Sequence, residues 1–334
     1  MKAQVLHQHG NRDAITFEPD WPDPVAGEGQ VVVRIRACAL NYHDIFTMRG
    51  MPGIKVPLPV IMGIDAAGEV VSCGPGVDGL APGTRVLIDP INRQTGKLFG
   101  EMMNGGLAEL AVLDAHMVVA LPDGIDFAQA AALPCAYGTA YRMMVTRGKI
   151  QAGEKVLILG ASGGVGTCCV QLAKMAGAHV IAAASSPEKM QRLRSLGADE
   201  VINYAERDFM AQIHELHGKP RITGQGGVDV VVNFTGGETW VPALRSMKKN
   251  GRMLTCGATA GFDPKTDIRY IWTFEHNIIG SNGWERDDVH RLLELVAEGK
   301  LHPVVDDAYP LTETRAAFAA LEDRTAFGKV IVSP

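Results

Sequence analysis

Two textures of hydrophobic patterning divide the chain near residue 130. From Met1 to about Leu121, short apolar or alternating runs at Gln30–Arg36, Ala67–Val71, Arg85–Ile88 and Leu107–Val112 are separated by turn signals such as Pro75-Gly76 and Pro82-Gly83. Period-two runs punctuated by Gly and Pro predict a compact, mostly antiparallel β domain, with one short helix inserted at Tyr42–Arg49. Near Phe127 the chain turns Ala- and Leu-rich, predicting a helix over Ala128–Leu133 that halts before Pro134 and resumes through Tyr141–Val145. Strands and helices then alternate. Val156–Leu159, Val180–Ala183, Glu200–Asn203, Val228–Asn233, Arg252–Thr255 and Asn277–Gly280 read as strands with helical or loop segments between them. That alternation predicts an α/β fold with a doubly wound, six-stranded parallel sheet. After about Gly283 a helix at Asp287–Ala297, Pro303–Val305, a helix near Thr312–Leu321 and a strand at Lys329–Val332 return to the first domain. The expected organisation is therefore a discontinuous domain over 1–130 and 284–334, and a second domain over 131–283.

The most informative junction lies at the first strand of the sheet. Apolar Val156–Leu159 runs into Gly160, Gly163, Gly164 and Gly166, and Val165, Cys169, Leu172, Ala173 and Ala176 then recur at helical spacing until Gly177. A buried strand passing through bare backbone into a helix N-terminus is the surrounding a dinucleotide pyrophosphate needs, because side chains are absent and unpaired N–H groups face it. The first glycine interval is one residue longer than strict G-x-G-x-x-G, through Ala161 and Ser162. Ser162 and Val165 are included with the glycines in the predicted phosphate contacts. An NAD site places an Asp or Glu about 20 residues further on, to accept the ribose hydroxyls. Here the second strand ends in Ala184-Ser185-Ser186, with Pro187 and Lys189 following. Ser186 reads as an N-cap with Pro187 at the first helical position and Glu188 turned towards the helix dipole. Ser185, Ser186 and Lys189 suit a 2′-phosphate, so NADPH is the expected cofactor.

Composition narrows the class further. The 334 residues carry a formal net charge of −5, with 46% hydrophobic and 21% charged residues. No basic stripe appears, which argues against nucleic-acid or anionic-membrane partners. No apolar run approaches bilayer length and no secretory signal opens the chain, so a cytoplasmic enzyme acting on a small-molecule substrate is expected. Six scattered cysteines without C-x-x-C pairs suggest neither a disulfide framework nor a zinc ribbon, and Cys168-Cys169 read as helix packing. The ten histidines form no H-x-x-E-H or H-x-H spacing, and no metal site is predicted.

The stretches Ala39–Ile45, Pro59–Gly68, Gly105–Glu109, Gly160–Gly166, Ser185–Lys189, Leu196–Asp199 and Phe327–Val330 together resemble the medium-chain dehydrogenase/reductases, and among them the zinc-free, quinone-oxidoreductase-like branch. The resemblance implies a GroES-like catalytic domain joined to a Rossmann cofactor domain. It also implies a homodimer, with Asn277–Gly280 as an edge strand pairing near Ile278 with its twin. Where zinc-containing members place a cysteine ligand this chain has Asn41, and where they carry Gly-His-Glu it has Gly63-Ile64-Asp65. Cys135 alone stands at the position of a later ligand, and Asp89–Asn104, corresponding to the structural-zinc lobe, contains no cysteine.

A metal-poor site suits an acceptor whose charge can spread, as in an enone, alkenal, enoyl thioester or quinone. Asn41, Tyr42, His43, Asp65 and Cys135 are the expected catalytic lining, with Tyr42 and His43 as proton donors. Asn41 is expected to orient the nicotinamide ribose or the acceptor oxygen, and Thr139 to flank the nicotinamide. Tyr204, by resemblance, joins the 2′-phosphate contacts, and Gly257 and Lys329 complete the cofactor set. Two further classes stay open: a zinc-type alcohol dehydrogenase, and a non-catalytic NADPH-binding sensor.

Overall fold

A computed structural model describes residues 1–334. The chain divides into two compact units, one formed by Met1–Ala136 with Val289–Pro334 and the other by Tyr137–Asp288.

The first unit opens with strands β1 (Ala3–Leu6) and β2 (Ile15–Glu18), followed by β3 (Gln30–Ala39), helix α1 (Tyr42–Arg49), β4 (Val60–Ile61), β5 (Asp65–Cys73), β6 (Arg85–Ile88), β7 (Leu110–Asp114), β8 (Val118–Ala120) and α2 (Phe127–Ala131). Their pairings are antiparallel, with β3 lying between β5 and β7. Alternation works as predicted along β3, where Val31, Val33 and Ile35 are buried while Arg34 and Arg36 are exposed. The helix expected to halt before Pro134 instead continues through wider i→i+5 turns over Leu133–Gly138 and again over Arg142–Arg147, with α3 (Thr139–Tyr141) between them. Proline has no N–H to donate, and a widened turn accommodates that without ending the helix.

The second unit continues with β9 (Lys155–Ile158), α4 (Gly164–Met175), β10 (His179–Ala184), α5 (Pro187–Ser195), β11 (Glu200–Asn203), α6 (Phe209–His217), β12 (Val228–Val232), α7 (Trp240–Ser246), β13 (Met247–Thr255), α8 (Ile268–Thr273) and β14 (Asn277–Gly280). The sheet order is β11-β10-β9-β12-β13-β14, and every pairing is parallel. This is the doubly wound six-stranded arrangement that the sequence predicts. The order reverses beside β9, so the turn leaving β9 lies at the switch point where such sheets take ligands. Val156, Leu157 and Ile158 are fully buried, as a central strand covered on both faces requires.

Helix α9 (Arg286–Ala297) leads back to the first unit, which β15 (Val305–Pro310), α10 (Thr314–Glu322) and β16 (Lys329–Ser333) complete. β16 pairs antiparallel with β3 and parallel with β15. No helix is long and apolar enough to cross a membrane.

Candidate functional site

In the first unit, strand register assembles a buried polar cluster. Ala39 at the end of β3 faces Asp65 at the start of β5. β16 meets β3 at Ile331↔Ala39, and Leu40 N–H donates to the Val330 carbonyl, which brings Lys329 to the same strand end. Asn41, the residue before α1, turns its carboxamide into this corner. Its Nδ2 donates to Asp65 Oδ2 at 2.9 Å and to the Ala39 carbonyl at 3.2 Å, while its Oδ1 accepts from Lys329 Nζ at 2.5 Å. Lys329 Nζ also lies 3.3 Å from Asp65 Oδ2, and Cys135 N–H donates to Asp65 Oδ1 at 3.0 Å. Asp65 is 0% and Lys329 2% exposed. Burial pushes the Asp65 carboxyl above its ordinary range; the Lys329 charge, the Asn41 amide and the Cys135 N–H oppose that without cancelling it.

Because Asn41 spends its side chain here, Asp44 caps α1 from within. Its carboxylate accepts Asn41 N–H at 2.7 Å and Ile64 N–H at 3.1 Å, tying the helix start to the turn before β5. Complete burial pushes Asp44 up to about 6 despite the Asn41 hydrogen bond. One residue earlier, His43 places Nε2 2.6 Å from Glu101 Oε2, and Thr47 Oγ1 donates to the same oxygen at 3.1 Å. Burial draws the imidazole down, but the Glu101 hydrogen bond and charge, with help from Asp44 and Asp65, carry His43 above its ordinary value. Burial is the largest single influence on Glu101 and raises it, but the His43 hydrogen bond and charge and the Thr47 hydroxyl together hold it below its own range. Tyr42 packs edge-on against Phe46, their ring centroids 5.6 Å apart.

In the second unit, the glycines divide the labour of the turn. Gly160 adopts φ +70°, and a Cβ there would press on the Phe234 ring at 3.0 Å. At Gly166 a Cβ would stand 2.2 Å from the Gly160 carbonyl oxygen, so only glycine lets α4 pack this closely against the turn. Gly163 is open, with nothing nearer to its Cβ position than 3.7 Å, and as the N-cap of α4 it supplies no side-chain cap. The first N–H groups of α4 are thus left for a ligand. Beside them, Asn233 follows β12 fully buried; its Oδ1 accepts from Thr235 N–H, Gly236 N–H and Thr239 Oγ1, while its Nδ2 has no partner. The bare backbone and this orphaned donor fit a dinucleotide at the carboxyl edge of the sheet. Val165 and Ser162 are half-buried within the same turn, and Gly257 is exposed just beyond β13.

The ends of β10 and β11 bring the other predicted contacts together. Ala184 is in register with Asn203, and Tyr204 N–H donates to the Ala184 carbonyl at 3.1 Å. Ser185 is exposed, Tyr204 is 42% exposed, and Ser186 caps α5 by accepting Lys189 N–H at 3.3 Å. Lys189 and Glu188 lie in that first turn, as predicted, and Glu206 is engaged by Asn203 Nδ2. Thr139 is buried in α3.

Three site features escape sequence reasoning. Glu101 is a single carboxylate in a loop 58 positions from His43, Asn233 looks like an ordinary strand end, and nothing in the sequence foreshadows the engagement of Lys329, an expected cofactor contact, with Asn41 and Asp65. Only the β3–β16 pairing reveals that last contact.

Two family models match the chain: the alcohol dehydrogenase GroES-like domain over residues 27–123, and the zinc-binding dehydrogenase over residues 164–298. A crotonyl-CoA reductase of Streptomyces collinus is 30% identical across 92% of this chain and 79% of its own length. The chloroplastic NADPH-dependent alkenal/one oxidoreductase of Arabidopsis thaliana is 34% identical across 100% of this chain and 80% of its own. Among solved structures, an NAD-dependent alcohol dehydrogenase superposes with TM-score 0.91 at 33% identity, covering 100% of both chains.

Proposed function

The chain belongs to the medium-chain dehydrogenase/reductase superfamily of oxidoreductases, and on that premise we propose that it is an NADPH-dependent reductase of conjugated double bonds that works without zinc. The acceptor classes are enones, alkenals, enoyl thioesters and quinones. The observation that carries this reading is the buried Asn41–Lys329–Asp65 cluster. A catalytic zinc needs about three protein donors from Cys, His, Asp or Glu. At this corner Asn41 offers an amide, Ile64 is apolar, and Asp65 already holds an ammonium, so the half-buried Cys135 contributes the single thiol. The donor set does not fit zinc.

The residues do fit NADPH, which when bound supplies the hydride. Gly160, Ser162, Gly163, Gly164, Val165 and Gly166 would hold its pyrophosphate, and Ser185, Ser186, Lys189 and Tyr204 its 2′-phosphate, since no carboxylate ends β10. Thr139 remains the expected contact on the nicotinamide side, and Gly257 and Lys329 remain expected cofactor contacts. In the first unit, the Lys329 ammonium polarises the Asn41 carboxamide, and Asp65 fixes both. Both Asn41 N–H groups are held by Asp65 and the Ala39 carbonyl, so an acceptor oxygen that gains charge as an enolate or phenolate is stabilised by the field of the preorganised Lys329 ammonium where water is excluded. His43, biased towards its protonated form by Glu101, is the preferred proton donor, with Tyr42 the alternative. The two relatives named for reduction of activated alkenes support the reaction class.

The alcohol dehydrogenase resemblance gives the competing reading a specific basis. Oxidation of NADPH by purified protein should be followed with an enone, a 2-alkenal, an enoyl-CoA ester, an ortho-quinone and a simple ketone, before and after chelation. Turnover of an activated alkene or quinone that survives chelation is expected. Reversible oxidation of a simple alcohol, abolished by chelation, would overturn the proposal, and absence of turnover with NADPH still bound would favour the sensor. The same reading includes a homodimer through edge strand β14, whose Ile278 is 40% exposed. A monomer by sedimentation at micromolar concentration would refute that part.

A further inference from the structure

The histidine spacing along the chain points to no metal site, but the topology of the second unit brings three donors together. His179 opens β10, Glu200 opens the neighbouring β11, and α6, returning from the far end of β11, finishes at His217. All three therefore lie at the amino edge of the sheet, whereas the glycine turn leaves the carboxyl end of β9. Their ligand atoms fall within 4.8 Å of one another. His179 Nε2 is 2.6 Å from Glu200 Oε1, and His217 Nε2 is 3.3 Å from Glu200 Oε2.

We propose that His179, Glu200 and His217 bind one borderline transition-metal dication, with zinc the best match, and that this ion fastens β10, β11 and the end of α6 together. Two observations go beyond proximity. Glu200 Oε2 and His217 Nε2 are buried and face each other at 3.3 Å, yet neither atom makes a well-formed hydrogen bond to any group. Buried polar atoms are normally satisfied, and a pair of orphans that share a focus marks a place for something that accepts lone pairs from both. The His217 side chain is only 6% exposed, too enclosed for bulk water to serve instead.

The donor chemistry is consistent with the ion. Two imidazoles and a carboxylate are the three-ligand set of many zinc sites, with the fourth position left to water, and His179 at 39% exposure leaves that side open. At bonds of about 2.0 Å, tetrahedral ligand atoms stand about 3.3 Å apart, so the three donors need only small side-chain adjustments. Behind the His179 ring, Asp199 places Oδ2 3.9 Å from Nδ1 and is itself anchored by Lys174 Nζ at 2.7 Å and Val180 N–H at 2.7 Å. At that distance Asp199 makes no hydrogen bond to the ring and acts on it through its negative charge alone. Lying on the opposite sheet edge from the glycine turn, the ion has a structural role.

The test uses tag-free full-length protein stripped with chelator. One equivalent of zinc chloride should bind saturably and raise the melting temperature. Cobalt chloride should give the visible d–d bands of a nitrogen and oxygen site without a thiolate charge-transfer band. Histidine side-chain NMR should show two imidazoles shifting with that first equivalent. His217→Gln and Glu200→Gln, checked by circular dichroism and NADPH binding, should weaken zinc by at least about 100-fold, beyond the effect of losing an outer-shell partner. Undiminished zinc affinity in folded His217→Gln, a cobalt–thiolate band, or no saturable binding by the wild type would each overturn the proposal. If the variants do not fold, the wild-type NMR titration decides, and an unshifted pair of imidazoles refutes it.

Discussion

Replacing Lys329 by Met leaves the Asp65 carboxylate buried without its cation, and the size of the damage can be worked from the geometry. At 3.3 Å between Nζ and Oδ2 and an effective dielectric of about 20, the pair attracts by roughly 5 kcal/mol before desolvation is counted. Both groups have already lost their water, so deleting one partner forfeits the attraction while the cost of burying the other persists, typically about 3–5 kcal/mol. For a domain of roughly 150–250 residues that corresponds to a fall of about 6–20 °C in Tm. Asp65→Asn should cost a similar amount, because it strands the ammonium. The double variant Asp65→Asn with Lys329→Met removes both charges and should recover more than half of either loss. Calorimetric melts of the wild type, both single variants and the double variant complete the cycle. The double variant should regain stability without regaining turnover, since the field of the Lys329 ammonium is lost with the charges. Additive losses in the double variant would show that the two groups do not act as a pair, and the electrostatic account of this corner would fail.

Cofactor choice rests on Lys189: Lys189→Ala should raise KM for NADPH several-fold while leaving KM for NADH nearly unchanged, and equal effects on both in steady-state assays would refute the 2′-phosphate assignment. His43 is held above its ordinary value by Glu101, so kcat should fall as pH rises through that elevated pKa, above about 6.5; His43→Gln should flatten this limb, and an unchanged profile would remove His43 as the proton donor. Asp44 is pushed up to about 6 in the folded chain against about 3.9 unfolded. A raised carboxyl pKa means that the native state keeps a proton the unfolded chain has released, so stability is fully present below about pH 4 and declines by up to roughly 3 kcal/mol as pH rises to about 6. Denaturant titrations across that window should show the slope in wild type and its loss in Asp44→Asn; a variant with the same slope would disprove the attribution.

Patterning disclosed the sheet because its cause is local: Val156–Ile158 must be apolar to lie between two layers, and Gly160 and Gly166 must lack side chains where the helix meets the turn. Ser186 and Pro187 announced α5 for the same reason, as cap and first residue. The continuation of the helix through Pro134 was not legible, because proline ordinarily ends a helix and nothing in the flanking residues announces the widened turn that accommodates it. Lys329 could be associated with the cofactor only by resemblance. Its contact with Asn41 spans 288 positions, and no feature within either stretch encodes the register of β16 on β3. Glu101 and the convergence of His179, Glu200 and His217 were hidden likewise, since residues meeting across a sheet edge leave no periodic trace.

The split first unit also sets an order of events during synthesis. At about 5–20 residues per second, the 288 positions separating Asn41 from Lys329 take roughly 15–60 s to translate. The contiguous second unit has all its strands within that interval and is free to fold first. Throughout it, the Cys38–Ala39 end of β3 lacks the strand that will pair with it, and Asp65 lacks its cation. An unpaired apolar strand end is a template for another nascent chain. The step most exposed to misassembly is therefore the late arrival of β16, and crowded polysomes or slow translation beyond Asp288 should lower the yield of folded protein without touching the stability of what does fold.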